Sequence, residues 1–172
     1  MRYNNKSVAE QNSVDLAFDL LQRNCFHDLR CAIHETETEK QRFRQLVINT
    51  IIATDIADKQ LKEWRNARWA KAFDLTRPPT NSADDVNRKA TIVIEHLIQA
   101  SDVAHTMQHW IQYRKWNECL FLEMLHAYNS GRALKHPKDF WYQGELGFFD
   151  FYVIPLAKKL KDCGVFGVSS DE

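Results

Sequence analysis

The chain has 172 residues, 44% hydrophobic and 27% charged, which is globular composition with enough apolar residues for a core. Lys+Arg and Asp+Glu stand at 23 each, so the net charge is zero, and a nucleic-acid polymer or an anionic membrane surface would find no basic excess to bind. Cys25, Cys31, Cys119 and Cys163 match no zinc-finger or Cys-x-x-Cys spacing, no secretory pattern opens the chain and no apolar run reaches membrane length, so the expectation is reduced, partly buried thiols in a cytoplasmic chain without membrane contact.

Ser7 with Glu10 three residues later has the form of a capping box, opening a first helix whose buried side is Val14, Leu16, Ala17, Phe18, Leu20 and Leu21. A second helix starts near Thr36 or Thr38, capped by Glu39 or Gln41, and lines Phe43, Val47, Thr50, Ile51 and Thr54 on one face. The segment from Lys62 to Leu75 reads as helical through Trp64, Ala67, Arg68 and Ala72, and "TRPPTNS" after it reads as a loop. Ser82 with Asp85 opens a further helix, whose apolar residues Val86, Ala90, Val93, Ile94, Leu97 and Ile98 lead to Asp102. A long aromatic helix from Thr106 to Tyr128, a loop with Pro137 suited to a first helical position, and a last helix that fades at "CGVFG" complete the chain. No segment alternates as a strand does, so the predicted class is all-α, a compact multi-helix bundle.

Three constellations carry candidate chemistry. Asp102 extends the line of Ile94 and Ile98, where a charged carboxylate is costly unless it meets a metal, a cation or N–H donors. A helix-end aspartate near Thr106 is the plainer reading, and the His105/His109 pair at i, i+4 spacing is a weaker zinc element. Thr54 and Asp55 end a strongly apolar helix and could hold metal-bound waters or simply finish the helix. Glu145 and Phe148 share a helix face, between Gly144 and Gly147, as a polar edge and a flat ring able to hold a planar heterocycle, or as ordinary packing at a helix crossing.

The order and spacing of these elements resemble the catalytic domain of class I 3′,5′-cyclic nucleotide phosphodiesterases. "YNNKSVAEQN", "IIATDIADK", "ASDV" followed by "YRKW", and "GELGFFDFYVIPL" are similar to four elements of that family in its order, and the wording looks most like the branch found in diatoms and other algae. The resemblance implies an HD/PDEase-type fold, here an incomplete domain, with residues 1–172 as the C-terminal portion of the catalytic domain. It implies hydrolysis of cAMP or cGMP to the 5′-monophosphate by a hydroxide bridging two metals, Zn2+ and Mg2+ (or Mn2+), in signal transduction. Carried over by position, Asp102 is a direct metal ligand, Glu10, Thr54 and Asp55 hold metal-bound waters, Phe148 stacks on the purine, Glu145 reads its edge and His105 lines the pocket.

The departures from the family pattern carry expectations of their own. The upstream histidine that serves as general acid and the His/His-Asp ligands have no counterpart here, so the isolated chain is expected to be inactive, a fragment of a longer protein. A helical domain used in binding or regulation is the alternative. Glu145 replaces a glutamine, and an ionised glutamate only accepts hydrogen bonds, which shifts preference toward guanine unless burial keeps it protonated. His105 stands where many relatives have asparagine, and Lys59 where they have histidine. The expected partner is the cyclic nucleotide, with a homodimer, or fusion to regulatory or membrane-anchored segments, as further settings.

Overall fold

The computed structural model describes residues 2–74, 76 and 82–164. It is helical, with no strand among the described residues. The chain forms two compact units, Met1–Gln99 and Ala100–Glu172.

In the first unit α1 (Val8–Leu21) packs on α3 (Glu37–Ala53), with the short α2 (His27–Ile33) between them in sequence. Phe18 meets Phe43 edge-on at 6.5 Å, and the Arg44 guanidinium lies 4.5 Å from the centre of the same Phe18 ring. The first predicted cap does not form. Ser7 has φ +40°, left-handed backbone, whereas a capping residue needs the extended region, so its hydroxyl bonds elsewhere. The second cap is real. Thr36 Oγ1 accepts from Glu39 N at 3.2 Å, and Glu39 Oε2 accepts from Thr36 N at 3.0 Å. The helix α2 was not foreseen, since it is a two-turn segment too short to show a period.

Asp58 caps α4 (Lys59–Ala72) by accepting from Gln60 N and Leu61 N. The predicted loop at 76–82 lies outside the described residues apart from Thr76 and Ser82. Ser82 Oγ then accepts from Asp85 N at 3.2 Å and opens α5 (Ala83–Asp102). This helix reverses the expected burial. Val86, Ile94 and Ile98 are exposed, while Asp85, Ile92, Glu95, His96 and Gln99 are buried. The buried polar groups are tolerated because each has a partner. Arg88 and Lys89 meet Asp85, and Arg68 reaches both oxygens of Glu95 at 3.0 Å. His96 bonds the Ile92 carbonyl at 2.8 Å and lies tilted against Trp69 at 4.4 Å, and Gln99 donates to the Ala53 carbonyl at 2.7 Å.

In the second unit a 3-10 turn, Ala104–Met107, precedes α6 (Trp110–Asn129). The long helix starts four residues later than its sequence pattern suggested, because His109 takes the capping position and accepts from Ile111 N. At its other end Gly131, φ +73°, lets Gly131 N reach the Tyr128 carbonyl and Arg132 N the Ala127 carbonyl, a Schellman ending. Pro137 opens a short turn, as expected, and is fully buried. The run from α7 (Trp141–Phe148) passes through a π turn (Phe149–Val153) into α8 (Ile154–Asp162). Pro155 explains the π turn: it has no N–H for the carbonyl one turn back, and its ring would collide with that carbonyl in regular α geometry. The helix ends at Gly164, φ +72°. Three of the four thiols, Cys25, Cys31 and Cys119, are exposed rather than partly buried, and all four are free.

Candidate functional site

The Thr54–Asp55 turn sits in the first unit. Thr54 Oγ1 donates to the Ile51 carbonyl at 2.8 Å, ending α3. The Asp55 carboxylate is occupied on both oxygens. Oδ1 accepts from Ala57 N at 3.0 Å and Asp58 N at 3.2 Å, and Oδ2 accepts from Ser7 Oγ at 2.7 Å. The Asp55 carbonyl takes a further bond from the buried Arg65 at 3.1 Å. These bonds define the connection between α3 and α4 and fasten the start of α1 to it. Glu10 lies half-buried in the first turn of α1, but the residue that reaches Asp55 is Ser7. Lys59 is exposed at the start of α4.

Glu95 is the more deeply buried of two buried carboxylates on α5, 2% exposed against 8% for Asp85. Burial pushes its carboxyl up from the ordinary glutamate range, and Arg68, then Arg65, pull it back. An apolar cleft of about 180 Å³ beside it is lined by Ile48, Ile52, Leu61 and Trp64 as well as the two arginines.

The second unit contains a larger cavity, about 490 Å³, whose walls are Trp110, Tyr113, Trp141, Tyr142, Leu146 and Phe149. Its polar groups are Thr106, Gln108, Asn117 and Glu145. Glu145 comes from α7, while Tyr113 and Asn117 stand one turn apart on α6. The Tyr113 hydroxyl donates to Glu145 Oε2, and Asn117 Nδ2 donates to the same oxygen at 2.6 Å. Burial first, and the Glu145 carboxylate second, push the Tyr113 phenol above its ordinary value, so it remains the donor. Tyr113 is fixed by rings on three sides: His105 parallel at 6.4 Å, Trp110 at 5.6 Å and Phe149 edge-on at 5.9 Å. Flat walls with one hydrogen-bonding edge suit a planar heterocycle, which would stack on the rings and pair with the carboxylate.

The phenylalanine on this cavity is Phe149. Phe148 is not among the lining residues; it stacks on Tyr152 at 5.5 Å and meets Phe149 edge-on at 6.1 Å. Gly144 and Gly147 are not demanded by a close approach, because a Cβ at either would make only an ordinary contact at 3.8 Å. Tyr113 was read in sequence only as part of a motif, and Asn117 was not singled out. The signal for the pair was their i, i+4 spacing on an aromatic helix.

Asp102, the last residue of α5, is exposed, on the same side as the exposed Ile94 and Ile98, so it pays no burial penalty. Among the described residues no group of three His, Cys, Asp or Glu could hold a metal ion. One aspartate is one ligand, where a catalytic zinc takes three from protein, so these residues do not by themselves make a metal centre. No helix among the described residues is long and apolar enough to cross a membrane.

Residues 1–165 match the family model of 3′5′-cyclic nucleotide phosphodiesterases. The human dual specificity calcium/calmodulin-dependent 3′,5′-cyclic nucleotide phosphodiesterase 1B is 24% identical over 93% of this chain and 28% of its own length. The mouse 1C enzyme of the same description is 23% identical, again over 93% of this chain, and 22% of its own length is covered. The crystal structure of the phosphodiesterase domain of the RhoPDE fusion protein from the choanoflagellate Salpingoeca rosetta superimposes with a TM-score of 0.67 at 23% identity, covering 92% of this chain and 50% of that one. The chain thus spans less than a third of the length of these curated relatives, and the likeness to the solved domain shows the all-α fold. The chain belongs to the 3′5′-cyclic nucleotide phosphodiesterase family.

Proposed function

We propose that residues 1–172 are the C-terminal portion of a phosphodiesterase catalytic domain and that the second unit holds the base of a 3′,5′-cyclic nucleotide. The observation that carries this reading is the aromatic-walled cavity around Glu145, with Tyr113 and Asn117 clamping its carboxylate. Stacking on such walls is sequence-tolerant, and the carboxylate supplies orientation. In this reading Phe149 is the stacking ring nearest the base, with Phe148 supporting it from behind, and His105 orients Tyr113. Asp102 is one ligand of a metal centre holding Zn2+ and Mg2+ (or Mn2+), which supplies charge neutralisation and a hydroxide nucleophile when bound. The remaining ligands and the general acid come from a segment other than these residues. Glu10 and Thr54 serve as orienting groups around that centre, while Asp55 acts by holding the turn that carries Thr54. The structural neighbour is a domain of a fusion protein, which fits a multidomain setting for this chain as well.

The test is hydrolysis of cAMP and cGMP with added zinc and magnesium. The 172-residue chain is measured alone and joined to the His/His-Asp-bearing segment of a family member. Turnover only in the joined protein is the expected result. Absence of turnover in the joined protein, with metal content verified, would overturn the hydrolase reading. The second reading, a helical domain that binds nucleotide without hydrolysing it, is favoured by the lack of a three-residue metal group among the described residues. It predicts nucleotide binding in both forms and turnover in neither.

A further inference from the structure

We propose that Cys31 is a site of reversible modification by small disulfides, with His27 as the base that takes its proton. The proposal stands apart from the nucleotide reading, since it concerns α2 in the first unit and no residue of the Glu145 cavity. His27 and Cys31 lie one turn apart on α2, so the helix itself brings them to one face. Cys31 Sγ and His27 Nε2 are 3.7 Å apart, a hydrogen-bonding distance for sulfur, and both residues are exposed. Arg30 Nη1 donates to the Leu21 carbonyl at 2.5 Å and the Arg23 carbonyl at 2.8 Å, which ties α2 to the end of α1 through a side chain other than the pair.

The four thiols of the chain meet three environments. Cys25 and Cys119 are exposed, but neither has an imidazole hydrogen-bonded to it. Cys163 is half-buried and donates to the Leu160 carbonyl at 3.4 Å, an acceptor that cannot carry the proton away. Cys31 combines access with a base. Thiols attack as thiolates, and an unassisted one is only a few per cent ionised near neutral pH, so a base in contact decides which thiol reacts first. In the tautomer with its proton on Nδ1, His27 presents Nε2 to the thiol as an acceptor. His27 takes the Sγ proton as the sulfur attacks one sulfur of an incoming disulfide. The new S–S bond forms, the old one breaks, and the departing sulfur keeps the electron pair and recovers the proton from His27. One thiol and one disulfide give one mixed disulfide and one thiol, so no further oxidant or reductant is consumed. A free small thiol reverses the step by the same route. The exposed helix face admits a tripeptide-sized disulfide such as oxidised glutathione.

The thiols of one chain serve as controls for one another. The reduced 172-residue chain is exposed to oxidised glutathione for increasing times, the remaining thiols are capped with iodoacetamide, and each cysteine is followed by peptide mass spectrometry. Cys31 is expected to form its mixed disulfide about tenfold faster than Cys119, a margin that the small thiolate fraction of an unassisted thiol leaves open. H27A is expected to bring Cys31 to within about twofold of Cys119 while the Cys119 rate stays unchanged. H27Q keeps a polar side chain on the helix but takes up no proton, and it is expected to match H27A, so the outcome does not depend on how α2 tolerates the smaller residue. Cys31 reacting no faster than Cys119 in the unaltered chain overturns the proposal, and so does an undiminished Cys31 rate in H27Q.

Discussion

The Asp55 turn of the first unit and the Glu145 cavity of the second share one part, a carboxylate with hydrogen-bond donors around it, and they reach opposite outcomes. Asp55 accepts on both oxygens, from Ala57 N, Asp58 N and Ser7 Oγ, so most of its accepting capacity is used inside the fold. Glu145 has its donors on Oε2 alone, and it stands on a cavity of about 490 Å³. A carboxylate bonded on both oxygens holds the fold together, while one bonded on a single oxygen beside an aromatic cavity can still recognise a ligand. Motif position alone could not have separated the two, since both lie in stretches that resemble one family.

If the comparison is right, changes in the first unit should cost stability and leave base binding alone. The largest effect is expected from R68A, which leaves Glu95 buried without the cation that bonds both of its oxygens. Thermal or urea unfolding should show a loss of about 3 kcal/mol near neutral pH. The sign with pH follows from the raised Glu95 carboxyl. The folded state keeps that proton longer than the unfolded chain does, so stability from this group is present below the ordinary glutamate range and lost as pH rises through the folded value. The loss in R68A should therefore shrink on acidification, and an equal loss at all pH values would break the assignment.

D55A comes next. It removes two accepted bonds within the α3–α4 connection and a third that ties the start of α1 to it, and about 2 kcal/mol of stability should go with them. Nucleotide binding should be unaffected; a drop without loss of stability would move Asp55 from the structural to the recognising side of the comparison. Y113F should behave in the opposite way. It removes one donor to Glu145, costs about 1 kcal/mol in unfolding, and weakens nucleotide binding by about fivefold because the carboxylate is less firmly held. The smallest effect is expected from T36A, which breaks the capping box at the end of α3 opposite to Asp55. A loss of about 0.5–1 kcal/mol with unchanged binding sets the scale for a purely local change.

Much of the fold was legible from the chain because its signals are local. The helical class, the Thr36–Glu39 box, the Ser82–Asp85 start and the Pro137 turn depend on side chains within three or four residues of one another, where sequence spacing is spatial distance. That an acid and aromatic rings share the Glu145 stretch was legible in the same way, since they lie on one helical segment. The burial of α5 was not. A polar face goes inward only because Arg68 and the Ala53 carbonyl, both on other helices, answer Glu95 and Gln99, and no rule along one helix reports those partners. Tertiary contact also decided that Ser7 meets Asp55 across 48 residues rather than capping its own helix, and that Tyr113 and Asn117 meet Glu145 across 32 and 28. It put Phe149 rather than Phe148 on the cavity as well. Hydrophobic period and caps are set by neighbours in the chain, whereas the state of a carboxylate is set by whichever donors the fold brings to it.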